Sequence, residues 1–110
     1  MAKKFLFSNS GYYANQLVSA TIEDAAKTNI VLTFSGTVRP FLRSHHQEFT
    51  CVGTAKTVDQ ITVSESGKTV TIRVTVAYAN GNTCTLVHNP SATYGNKGAT
   101  VSTVVTNNVV

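Results

Sequence analysis

Between residues 69 and 76 apolar and polar positions alternate without error. Val70, Ile72, Val74 and Val76 fall on one side, and Thr69, Thr71, Arg73 and Thr75 on the other. Side chains of a strand alternate faces, so the pattern predicts a half-buried β-strand with an apolar inner face and a hydroxyl-rich outer one. A helix would scatter the four β-branched residues around its circumference, where each loses χ1 freedom. After Asn80-Gly81 the alternation resumes, with Cys84 and Leu86 on one face and Thr83 and Thr85 on the other.

The same period recurs along the chain. Residues 17–23 alternate Leu17, Ser19 and Thr21 against Val18, Ala20 and Ile22, and 24–28 read as a turn. Residues 29–34 put Ile30, Leu32 and Phe34 inward, and 49–52 form a short strand. Within 58–64 the spacing of Val58, Ile61 and Val63 breaks the strict period, which predicts a bulge between Val58 and Ile61. The link 39–47 contains Pro40, whose missing N–H argues against an inner strand. A second loop, 89–98, is rich in Asn, Gly and Ser, and 101–105 reads as the last strand. About seven short strands with turn signals between them predict an all-β sandwich or small barrel.

Residues 1–16 carry no steady period, yet Phe5, Phe7, Tyr12 and Tyr13 are four of the chain's five Phe and four Tyr residues. One reading is a first strand that packs Phe5 and Phe7 on the domain. The other is an extended arm, which we adopt because terminal segments are loose unless tied down. The division is then an arm, 1–16, and a domain, 17–110. Apolar anchors carry affinity and charges steer encounter, so Lys3, Lys4, Phe5, Phe7, Tyr12 and Tyr13 form the expected partner-binding set.

Composition narrows the function classes. With 110 residues the chain has the size of one domain and can bury a core without staples. Its net charge of +4 is small and the basic residues are scattered, unlike the basic patches of nucleic-acid binders. Phe5-Leu6-Phe7 is too short for a secretory apolar region, and no run has membrane-spanning length. Cys51 and Cys84 sit at inward strand positions, where buried thiols are the plainer reading and a core disulfide the sharper one. His45, His46, Glu48 and His88 are the one metal-like set, but they lack ligand spacing typical of zinc and read as exposed loop residues. No nucleophile elbow or phosphate-cradling loop is present. The expectation is therefore a non-enzyme with no catalytic residue, metal or cofactor. The outward residues Thr69, Thr71, Thr75, Thr83 and Thr85 simply suit an exposed sheet face, with sugar binding as the alternative.

Several stretches fall into line with one family. They are Ala20-Thr21-Ile22-Glu23, Ile30-Val31-Leu32-Thr33-Phe34-Ser35, Phe49-Thr50-Cys51-Val52-Gly53, Gly67-Lys68-Thr69-Val70-Thr71-Ile72 and Asn82-Thr83-Cys84-Thr85-Leu86-Val87. Gly95-Asn96 and the ending Val104-Val105-Thr106-Asn107-Asn108 follow. In order and spacing, residues 17–110 resemble the bacterial immunoglobulin-like repeat of cyanobacterial swimming-type cell-surface proteins. The resemblance implies an immunoglobulin-like β-sandwich with binding or spacer roles, in which the link at Asn80-Gly81 crosses between sheets instead of closing a hairpin. Cys51 and Cys84 stand where that family usually has Val, and the 89–98 loop lacks the Asp that often precedes its Gly-Asn.

Members of that family are usually secreted repeats. A single copy with an aromatic-basic arm and no signal fits a phage virion better, since tailed phages make such domains in the host cytosol. The expectation is a virion structural protein, first a capsid decoration (cement) protein and next a tail component. Its partners would be a phage capsid or tail protein, a second copy on the particle and a host-surface glycan, with neither nucleic acid nor membrane. The alternative is a carbohydrate-binding or adhesive module of a bacterial surface protein.

Overall fold

The computed structural model describes residues 17–36, 46–89 and 100–110. Seven strands occupy them: β1 (Leu17–Ile22), β2 (Asn29–Phe34), β3 (Phe49–Gly53), β4 (Val58–Val63), β5 (Thr69–Val74), β6 (Cys84–His88) and β7 (Val101–Asn107). Single-turn 3-10 helices, Asp24–Ala26 and His46–Glu48, precede β2 and β3. The described chain is all-β. The strands follow the order β3-β6-β7-β1-β2-β5-β4, and β4 returns to lie near β3, so the sheet rolls nearly into a barrel.

Register explains the core. Ala20 faces Leu32, Leu32 faces Val70, and Val70 faces Val63, forming one inward row across four strands. Ile30, Ile72 and Ile61 form the next. Ile22, Ile30, Leu32, Val70 and Ile72 are fully buried, each contributing about 1.5–3 kcal/mol of burial. The opposite face carries Thr21, Val31, Thr71 and Thr62 in one row and Ser19, Thr33 and Thr69 in another.

The bulge expected after Val58 is present as a register shift between Val58 and Gln60. A second shift, between Leu17 and Ser19, leaves Val18 exposed. The inward assignment of Val76 is wrong: β5 stops at Val74 and Val76 is 58% exposed. The neighbouring ladder ends there, because Asn29, the first residue of β2, already pairs with Arg73. Alternation records a side chain's parity but not where its partner strand runs out. The last strand errs the other way, extending to Asn107 because its end pairs in parallel with β1 at Thr21–Thr106 and Ile22–Asn107. β5 and β6 are not neighbours, so the Asn80-Gly81 link does not close a hairpin between them.

Candidate functional site

The expected arm residues Lys3, Lys4, Phe5, Phe7, Tyr12 and Tyr13 lie outside the described residues, as does His45. The described domain offers three polar constellations instead.

The first corrects the reading of the histidines. β6 buries Cys84, Leu86 and His88 on one parity, so His88 is a core residue, 4% exposed, and not part of a loop. Its Nε2 lies 3.1 Å from Oε1 of Glu48, which is equally buried, and its ring stacks on Phe49 at 4.3 Å. Burial pushes the His88 pKa below the usual imidazole value, with Glu48 opposing in part. The strand parity that placed Cys84 and Leu86 inward also reaches His88, so this signal was present in the sequence. Among the described residues no group of three or more His, Cys, Asp or Glu is placed to hold a metal ion.

The second lies in the core. Cys51 pairs with Leu86 and Cys84 with Gly53, which makes the two thiols diagonal neighbours on the inner face of β3 and β6. Both are free and buried. The buried Tyr78 hydroxyl donates to Cys84 Sγ at 3.3 Å, and Lys56 Nζ sits 5.3 Å from the centre of the Tyr78 ring.

The third is a clamp made by the end of the chain. Asn107 Nδ2 donates to the carbonyls of Ala79 and Asn82, and its Oδ1 accepts from the Val109 amide. Asn80 Nδ2 donates to the Val109 carbonyl, and Asn108 Nδ2 to Glu23. Val109 itself is buried. The Thr-Asn-Asn ending thus ties the 79–82 link to the sheet.

Outside, the face of β3, β6 and β7 carries Val52, Thr85 and Val104 in one row and Thr50, Val87 and Ser102 in the next, with no charge. Charge on the other outer face is concentrated at one edge, where Arg73 makes a two-pronged pair with Asp59 at 3.0 Å. That contact holds the Asp59 carboxyl below its usual range. Of the Thr residues singled out as outward, Thr75 and Thr83 are exposed and Thr69, Thr71 and Thr85 half-buried.

No protein-family model and no curated protein sequence matches the chain. Among solved structures it is similar to the N-terminal part of the bacterial S-layer protein SbsC, with a TM-score of 0.63 and 24% identity over 90% of this chain and 25% of that one. It is likewise similar to domains 1-6 of the surface layer protein SbsC, with a TM-score of 0.63 over 15% of that chain. A third structure, the S-layer protein rSbsC(31-844), gives a TM-score of 0.65, again over 15% of its length. The chain thus spans a quarter or less of these proteins, and the likeness is one of fold.

Proposed function

We propose that the domain is an immunoglobulin-like β-sandwich acting as a non-enzymatic structural module on the outside of a larger assembly. The observation that carries this is the likeness of fold to segments of a surface layer protein. The two-sheet reading is supported by the ladders β4-β5-β2-β1 and β3-β6-β7, which among the described residues are hydrogen-bonded as strands through the short parallel contact of β1 with β7. The order of sequence stretches supports membership of the bacterial immunoglobulin-like repeats described above.

The assembly we propose is a phage particle, which the protein decorates as a capsid cement protein after synthesis in the host cytoplasm. Residues 1–16 are its anchor, with Phe5, Phe7, Tyr12 and Tyr13 as apolar contacts and Lys3 and Lys4 as steering charges. An extended segment of 16 residues reaches at most about 50 Å, enough to run onto a neighbouring subunit. The decisive experiment deletes residues 1–13 and measures melting and binding to undecorated particles. The reading requires an unchanged melting temperature and lost binding. A truncated domain that unfolds, or that still binds, rejects the anchor.

A second reading, favoured by the surface-layer likeness, is an adhesive module of a bacterial surface protein that binds a cell-surface glycan. Mass spectrometry separates the two. Recovery of the protein from purified particles supports the first, and recovery from the cell envelope supports the second.

A further inference from the structure

We propose that Cys51 and Cys84 are a redox-closable pair, whose oxidation joins the edge strand β3 to β6 through a cross-strand disulfide. The argument stands on the core itself and holds whatever the domain attaches to. The two thiols are diagonal on one inner face, with the Val52–Thr85 pair between their own pairs in the β3–β6 ladder. Tyr78 supplies a hydroxyl to this otherwise apolar spot, donating to Cys84 Sγ. The hydrogen bond from Cys84, helped by one from Tyr78, draws the Cys51 thiol down to about 7 against the effect of burial. The same partnership and burial push Cys84 up, which favours Cys51 as the attacking thiol and Cys84 as the resolving one, and the disulfide formed is the same with the roles exchanged.

The step needs a small oxidant, and hydrogen peroxide is the probe. The Cys51 thiolate attacks one peroxide oxygen, breaking the O–O bond and leaving a sulfenic acid and hydroxide. Cys84 sulfur then attacks the sulfenic sulfur. The S–S bond forms, the sulfenic hydroxyl leaves as water with the Cys84 thiol proton, and the proton that Cys51 released on ionising neutralises the hydroxide of the first step. Two thiols lose two electrons and two protons, and one peroxide becomes two waters. Access comes through β3, a five-residue strand at the end of the sheet order. The closed loop spans β4 and β5, which constrains the unfolded chain and raises stability.

The test treats the whole protein with peroxide in urea below its unfolding midpoint, then removes both. Denaturing alkylation, intact mass and peptide mapping should show a Cys51–Cys84 link and the loss of two hydrogens. The melting temperature should rise by at least about 5 °C and return on reduction. The Cys51→Val/Cys84→Val variant, which keeps the core apolar, should melt at one temperature with or without oxidant. Two free thiols after treatment, only intermolecular dimers or sulfinic acid, or an equal shift in the valine variant overturns the proposal.

Discussion

Glu48 and His88 face each other across 3.1 Å with almost no exposure to water, one from the 3-10 turn before β3 and the other from the end of β6. Burial lowers the His88 pKa more than Glu48 raises it. In the unfolded chain the imidazole titrates near about 6.5. Below that pH the unfolded state takes up a proton that the folded state resists, so stability is complete above the unfolded pKa and falls as pH drops toward the folded one. Melting temperatures measured from pH 8 to 5 should therefore decline on the acid side. Replacing His88 with Gln should flatten that decline relative to the parent. An unchanged slope would show that other groups govern it.

The core register makes the second prediction. Val74 is buried at the end of β5, and its neighbour Thr75 is exposed. An unpaired carboxylate at position 74 costs several kcal/mol, a large share of a total of roughly 5–15. Val74→Asp should unfold the domain, and Thr75→Asp should leave its denaturation midpoint within about 0.5 kcal/mol of the parent. Equal midpoints for the two variants would contradict the register.

The contrast between Val74 and Val76 shows where sequence reading succeeds and stops. Period two put Ile30, Leu32, Phe34, Val70, Ile72 and Val74 in the core correctly, because parity is a local property. The broken spacing after Val58 revealed the bulge for the same reason. Val76 and the extension of β7 to Asn107 depend on which strand lies alongside, a long-range fact that no local pattern holds. His88 is an intermediate case. Its parity was legible, but its ionisable side chain suggested a loop until Glu48 and Phe49 were seen to enclose it.

Asn107 gives the third prediction. Its side chain satisfies two carbonyls of the 79–82 link and one amide near the chain's end. No alanine can replace those bonds: the half-buried Asn82 carbonyl loses its side-chain donor, while the exposed Ala79 carbonyl keeps only the Asn82 amide. Asn107→Ala should cost about 1–3 kcal/mol in urea unfolding, with faster amide exchange at Val109. Asn108, whose side chain makes an exposed bond to Glu23, should cost less on the same substitution. If both cost the same, the clamp is not where the chain's end is held.

Two glycines separate backbone strain from crowding. Gly53 and Gly81 both have left-handed backbones, with φ of 98° and 85°. A side chain at either pays for that conformation, about 1–2 kcal/mol. At Gly81 a Cβ would meet nothing within 4 Å, so Gly81→Ala should cost only this amount. At Gly53 the same atom would lie 2.6 Å from Thr83 Oγ1 and 3.1 Å from the Thr83 carbonyl oxygen. The carbonyl cannot retreat freely, because it accepts the Thr54 amide at 3.0 Å. Gly53→Ala should therefore cost more than Gly81→Ala in chemical denaturation, by roughly 1 kcal/mol or more. Adding Thr83→Ala should recover the part due to the hydroxyl and leave the part due to the carbonyl. Equal costs for the two glycine variants would mean that the β3–β6 ladder yields at this end and that the crowding at Gly53 is relieved by a small shift of the chain.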